Sequence, residues 1–268
     1  MTILFSAYTD AGVIFASDDR ITSQLGRTGK TRTIKRKPQQ KVFEVDGLGT
    51  HPQGGLLGFF GSAIVKDQWM DDWLRETMPR CRRNPETSEF AADLRDALTK
   101  APFEPEQRGP SGFHIAAFEL RDGFQVPVFH FVSNIHDMED GYYTKIGNFF
   151  AEEQLLGRDM RGLDPPHIRS ALRVFAWETG QPRWYRNGDV PFHGPVTTYL
   201  MSAIAHVVNG DRVRKRDEYQ VPVTLDGWVT YVTTLVETSI DVAAMLFVKG
   251  DPRIGGEPII KVLEWPTT

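Results

Sequence analysis

Two short apolar runs open the chain. Residues 2–8 (TILFSAY) and 12–17 (GVIFAS) are dense in aliphatic and aromatic residues, with turn chemistry at Thr9-Asp10-Ala11-Gly12, so the pattern predicts a β-hairpin. Residues 24–40 (QLGRTGKTRTIKRKPQQ) are polar, basic and without period, which predicts an exposed loop. KVFEV at 41–45 and GLLGFF at 55–60 predict a second pair of strands joined by the Gly- and Pro-rich DGLGTHPQG. The period then changes. From Ser62 to Met78, Val65, Trp69 and Trp73 recur at every fourth position with Met70 and Leu74 beside them, the spacing of an amphipathic helix. A second helix is expected over SEFAADLRDALTK, with Ser88 as N-cap and Phe90, Leu94 and Leu98 on one face. FHIAAFEL, VPVFHFVSNI and YYTKIG return to strand. Phe149 to Asn209 reads as mostly helical, broken by the polar loop GQPRWYRNGDVPFHG, and Leu225, Trp228, Val229, Val232, Leu235 and Val236 mark a long helix. GDPRIGGEPIIKVLEW predicts a turn and a last strand.

Runs of strands, then helices, strands, helices and a final strand predict an α+β layered domain and not an alternating parallel sheet. No internal repeat or low-complexity linker divides the 268 residues, so residues 2–268 are expected to form a single domain. The composition, 40% hydrophobic and 25% charged, is that of a globular protein. A net charge of −4 and a pI of about 6.0 give no basis for nucleic acid or a membrane surface as the main partner. Cys81 is the only cysteine, which excludes an intrachain disulfide and a four-cysteine zinc site and fits a reducing cytoplasm. The apolar start is not read as a signal peptide, because no Lys or Arg precedes it, Asp10 interrupts it and Asp18-Asp19 follows it. No apolar stretch approaches the roughly 18 residues of a membrane span, so a cytoplasmic location is expected.

Three motifs drop out on inspection. GRTGKT at 26–31 lacks the glycine that a phosphate-binding loop needs five places before Gly29, where Gln24 stands, and no helical pattern follows it. The basic run from Arg27 to Lys37 reads as a solvated loop within an acidic chain. The seven histidines have no metal-ligand spacing.

Thr2 changes the picture. Once Met1 is removed, its hydroxyl and its free α-amine belong to one residue, a known pairing of nucleophile and base. The opening TILFSAYTDAGVIFASDDRIT, with Thr2, Gly12, Asp18 and Arg20 at their spacing, resembles the start of proteasome β-type subunits and their bacterial relatives. These belong to the N-terminal-nucleophile (Ntn) hydrolases. Lys41 matches the lysine that opens the third strand in that family, and LGFFGSA supplies Gly58 and Gly61 of a small-Gly-x-x-Gly strand end. Near the end, Asp251-Pro-Arg-Ile254-Gly255-Gly256 matches the family's aspartate and glycines, with Ile254 where a serine stands. YTKIGN places Asn148 at a second serine position. An alternative alignment makes IDVAAMLFV at 240–248 the strand after the catalytic turn, which removes Asp251 from the site.

The resemblance implies a four-layer α/β/β/α sandwich, two antiparallel sheets between helices, with the basic loop at 24–40 and a helical expansion at about 150–215 as this chain's additions. It implies a threonine-type hydrolase that cleaves peptide or other amide bonds through an acyl-enzyme on Thr2, with Met1 removal as its maturation step. The implied site is Thr2, Asp18, Lys41, Gly58, Asp251 and Asn148. Lys41 lowers the barrier to losing the hydroxyl proton, electrostatically or by accepting it. Asp18 fixes the Lys41 ammonium, and the Gly58 N–H faces the oxyanion. No metal or organic cofactor is implied. Assembly into a homo-oligomeric ring or open ring is implied, and an ATP-dependent unfoldase is a further partner the family admits. Two alternatives share the fold: a catalytically silent assembly subunit, and an amidase or transpeptidase for a small substrate with Leu56 and Phe60 narrowing its pocket.

Overall fold

The computed structural model describes residues 3–20, 22–25, 30–33, 39–82, 86–103, 109–135, 148–154, 160, 162–188, 190–213, 218–246 and 254–266. In chain order the elements are β1 (Ile3–Tyr8), β2 (Gly12–Asp18), β3 (Thr22–Leu25), β4 (Lys30–Thr33), β5 (Val42–Val45), β6 (Gly55–Phe60), β7 (Ile64–Val65) and β8 (Gln68–Trp69). Helices α1 (Met70–Thr77) and α2 (Thr87–Lys100) follow, then β9 (Gly112–Arg121), β10 (Phe124–Ser133) and β11 (Phe150–Glu153). The chain continues through α3 (Pro165–Thr179), β12 (Arg183–Gly188), α4 (Val190–Val213), α5 (Leu225–Leu246) and β13 (Pro258–Glu264).

Two antiparallel sheets form the centre. One has the order β12-β1-β2-β13, the other β11-β10-β9-β6-β5. The two-residue period of β1 assigns its faces. Ile3, Phe5 and Ala7 join Ile14 and Ala16 of β2 in a core shared with Trp228, Val232 and Val236 of α5. Leu4 and Tyr8 join Val13 and Phe15 in the core between the sheets, which runs on to Leu74 of α1 and Phe90, Leu94 and Leu98 of α2. The result is the expected α/β/β/α layering. Each buried aromatic such as Phe15 contributes roughly 1.5–3 kcal/mol by leaving water.

The β1–β2 turn is held by Thr9, whose Oγ1 accepts from the N–H groups of Ala11 and Gly12 at 3.1 and 3.0 Å. At Gly58 a side chain of the facing sheet packs against the backbone: a Cβ there would stand 2.6 Å from Leu4 Cδ1. Between the sheets lies a polar chain that the pattern of residues did not announce. Ser6 Oγ meets His114 Nδ1 at 2.7 Å, and His114 Nε2 meets Asn187 Oδ1 at 2.6 Å. Since the amide oxygen only accepts, Nε2 carries the ring proton and Nδ1 accepts from Ser6. Burial among Phe15, Phe60, Phe129 and Phe131 pushes the His114 pKa down to about 3, so the ring is neutral at ordinary pH.

Several sequence expectations are corrected. The first helix starts at Met70, not at Ser62. Ser62 is tied to the segment before β9, its N–H donating to Ser111 Oγ and its Oγ accepting from Gly109 N, and Lys66 at φ 55° turns the small β7–β8 hairpin. Ser88 is not the N-cap of α2. The helix begins at Thr87, whose N–H is capped by the Glu119 carboxylate at 2.6 Å. The basic stretch at 24–40 contains part of a hairpin, Thr22–Leu25 with Lys30–Thr33. Within about 150–215, expected to be mostly helical with one polar loop, Phe150–Glu153 is β11 and the loop contains β12. Leu56 and Phe60 are core residues, Phe60 stacking on Phe131. The segment YYTKIG lies outside the described residues.

Candidate active site

The site forms where β1 begins and β2 ends. Asp18 is the last residue of β2, and its side chain is sealed from solvent. Its Oδ1 accepts from the Ile3 N–H at 2.9 Å and from Lys41 Nζ at 3.0 Å. Its Oδ2 accepts from the Gly255 N–H at 3.3 Å. Lys41, immediately before β5, also donates to the Arg20 carbonyl at 2.5 Å. The chain thus fixes one carboxylate from three distant segments, and that carboxylate fixes one ammonium.

Burial pushes the Lys41 ammonium below its ordinary pKa, and the Asp18 carboxylate opposes that shift. An ion pair this deep contributes little net stability, because desolvation offsets the Coulomb attraction. Its value is positional. The Lys41 carbonyl holds β6 as well, accepting from the Phe59 N–H at 3.0 Å.

The glycine pair before β13 is shaped around residues 18–20. Arg20 N donates to the Gly255 carbonyl at 3.2 Å, and the Arg20 guanidinium occupies the space that a Gly255 side chain would need. Gly256 has φ +81°, and a Cβ there would fall 1.5 Å from Asp19 Oδ1. That oxygen accepts from the Glu257 N–H at 3.1 Å. The Gly255-Gly256 turn therefore reads the Asp18-Asp19-Arg20 backbone and side chains in register.

Asp18 and Lys41 are brought together as the sequence suggested. Thr2 and Asp251 lie outside the described residues, although Ile3, whose N–H Asp18 holds, is the residue next to Thr2. Asn148 is exposed, beside Phe149, which packs on Phe103 and Phe113. Ile254 is buried at 1% exposure in the helix-side core. Residues 240–246 are helical, part of α5, so the strand following the glycines is β13, which pairs with β2 from Pro258↔Asp18 onward. The alternative alignment through IDVAAMLFV is thereby overturned.

Gly58 does not stand at the site. It sits inside β6, paired with Val42 and His114, and its α-hydrogens face Leu4 and Phe15 between the sheets. Gly61 stands one residue past β6. Its φ is +101°, and a Cβ there would meet the Pro110 carbonyl at 2.1 Å. Because the Phe59 N–H points to Lys41, the two-residue alternation turns the Gly61 N–H to the same edge of β6, beyond Lys41. The sequence pattern held both glycines, and which of them follows the last paired residue of β6 became legible only with the strand end.

As a sequence, the chain matches no protein-family model and no curated protein. Its structure is similar to that of a Gly-1 mutant of Anbu from Hyphomicrobium sp. strain MC1, with a TM-score of 0.50 over 98% of this chain and 82% of that one. The fold is a proteasome-like sandwich. Identity to that Anbu is 11%, so the likeness is one of fold. Anbu from Yersinia bercovieri, described as an ancestral beta-subunit, aligns with a TM-score of 0.45 at 10% identity, over 98% of this chain and 81% of that one. Among the described residues no helix is long and apolar enough to cross a membrane, and no three metal-ligating side chains gather.

Proposed function

We propose that this chain is an N-terminal threonine hydrolase acting on peptide or other amide bonds. One observation carries the reading: a single buried carboxylate, Asp18, holds both the Lys41 ammonium and the backbone N–H of the residue next to Thr2. That arrangement tethers the start of the chain beside a desolvated cation.

In this reading Met1 is removed, and the Thr2 Oγ attacks the substrate carbonyl carbon. Its proton passes to the α-amine, whose reference pKa of about 7.7–8.0 suits exchange near neutrality. Lys41 stabilises the alkoxide character that develops on Oγ. The Gly61 N–H meets the oxyanion, a contact of the kind that contributes roughly 2.7–4 kcal/mol to the transition state. The amine leaves with the proton, and water then cleaves the ester. Asp251 stays in the proposed set. The proposed partners are an amide substrate, further copies of the chain in a ring or open ring, and an ATP-dependent unfoldase.

A second reading is a catalytically silent subunit. Ile254 in the apolar core and Asn148 at the surface favour it, since neither offers a hydroxyl to the N-terminal residue. Hydrolysis of a fluorogenic peptide library by protein lacking Met1 separates the two. Activity that Thr2→Ala abolishes supports the hydrolase. Inactivity of the Met1-free protein across the library supports the silent subunit.

A further inference from the structure

Arg186 of β12 carries a charge that no carboxylate among the described residues answers. Alternation along the strand turns Trp184 and Arg186 to the helix side of the sheet, since they pair with Ala7 and Phe5 of the helix-side core. Tyr185 between them stacks on Phe129 in the space between the sheets. The Arg186 guanidinium is half-buried, and that burial pulls its pKa below the ordinary value. Its hydrogen bonds all go to neutral oxygens. Nη1 donates to the Gly194 carbonyl at 3.2 Å and to Thr197 Oγ1 at 2.8 Å, and Nη2 donates to Thr198 Oγ1 at 3.1 Å. A guanidinium has five N–H donors, so at least two are left without an acceptor among the described residues. Lys41 and Arg121, also withdrawn from solvent, each meet a carboxylate.

The same guanidinium lines a cavity of about 380 Å³ between β12, the end of α3 and α4. α3 ends at Gly180, where a Cβ would stand 2.6 Å from Ala205 Cα, so α3 meets α4 at that point. The Trp184 ring, stacked on Phe5 at 5.3 Å, has Arg186 Cζ 5.7 Å from its centroid. Three hydrogen bonds and one aromatic face thus hold the cation in place, so little of its freedom is left to lose when a ligand binds. None of the described lining residues is acidic. Two hydroxyls set the rest of the chemistry. Thr179 Oγ1 donates to the Phe175 carbonyl at 2.7 Å, and Ser202 Oγ donates to the Thr198 carbonyl at 2.8 Å. With their protons committed, both oxygens are left as acceptors in the cavity wall.

We propose that this cavity binds a small amino-acid carboxylate, either a free amino acid or the last residue of a short peptide. Arg186 takes the carboxylate, and the oxygens of Thr179 and Ser202 accept from the ligand's own N–H groups. A fully ionised phosphate suits the cation but has no donor for the two hydroxyl oxygens. Met201 and Ala205 give the ligand side chain an apolar wall, and the volume lies within the range of small-molecule pockets. The cavity is on the helix side of the sheet and shares no residue with the Asp18–Lys41 site, so the inference does not draw on the hydrolase reading.

The test is calorimetric titration of the full chain carrying Thr2→Ala, so that no probe is cleaved. The probes are L-leucine, alanyl-leucine, alanyl-leucinamide and inorganic phosphate. At least one of the two carboxylates is expected to bind, and the amide at least tenfold more weakly than alanyl-leucine if the dipeptide is the tighter of the two. Tighter binding of leucine identifies a free amino acid as the ligand, and tighter binding of alanyl-leucine identifies a peptide end. Arg186→Gln is expected to weaken carboxylate binding at least tenfold. Ser202→Leu fills the cavity from an exposed position on α4 and leaves Arg186 in place, and it is expected to weaken binding likewise. Equal affinity for alanyl-leucine and its amide where the dipeptide is the tighter carboxylate, phosphate bound as tightly as the better carboxylate, or an affinity that either substitution leaves unchanged overturns the proposal. Absence of binding by all four probes overturns it too. No outcome bears on acylation of Thr2, so failure here is separate from failure of the hydrolase reading.

Discussion

Lys41 Nζ stands 3.0 Å from Asp18 Oδ1, with the two side chains 3% and 0% exposed. A pair this deep is costly to break from one side. Asp18→Ala strands an ammonium in the interior and frees the N–H groups of Ile3 and Gly255. The expected loss is about 3–5 kcal/mol in denaturant unfolding. The double variant Asp18→Asn with Lys41→Met removes both charges and is expected to recover much of that stability. A double variant as unstable as Asp18→Ala would show that the pair is not the source of the loss.

The two glycines of LGFFGSA separate packing from chemistry. Gly58→Ala pushes a methyl against the flexible tip of Leu4, and overpacking of that kind costs about 1–3 kcal/mol. Gly61→Ala meets a backbone carbonyl at an unfavourable φ, so the backbone itself must shift. Both thermal midpoints are expected to fall. Only Gly61→Ala is expected to slow acylation of Thr2 by tenfold or more in the folded fraction. Equal slowing by Gly58→Ala would return the oxyanion role to the interior glycine.

His114 gives the fold an acid-sensitive centre. Its folded pKa of about 3 lies below the unfolded value near 6.5, so between these the unfolded chain binds a proton that the native state refuses. The sign follows: the contribution is complete above pH 6.5 and is lost as pH falls toward 3. At pH 4.5 the loss is on the order of a few kcal/mol. His114→Gln is expected to be less stable at pH 7 yet to show a shallower decline between pH 6.5 and 4.5. Parallel declines in the two proteins would remove His114 from the account.

Much of this architecture was legible in the residues, for identifiable reasons. β1, β2 and β6 carry apolar residues on both faces because both faces are buried, and such runs are hard to misread. The spacing of Thr2, Gly12, Asp18 and Arg20 placed Asp18 at a strand end, and Lys41 followed from order alone. β12 was missed because it is an edge strand bonded only to β1, so its RWYRNG sequence keeps the arginines and asparagine of a loop. The cap on α2 was invisible because Glu119 reaches it from another strand. The Ser6–His114–Asn187 chain joins residues up to 108 positions apart within one bond, a separation no local pattern encodes. The carbonyl of Arg20 and the N–H of Gly255 act through backbone atoms, which carry no side-chain signature.

The central claim is that the N-terminal residue and the Lys41 ammonium form one reactive unit. The most direct measurement is the intact mass of the purified protein before and after an epoxyketone or β-lactone probe. Loss of Met1 and a single adduct, absent from both Thr2→Ala and Lys41→Ala, is the expected result. Retention of Met1, or an adduct that survives Thr2→Ala, would contradict it.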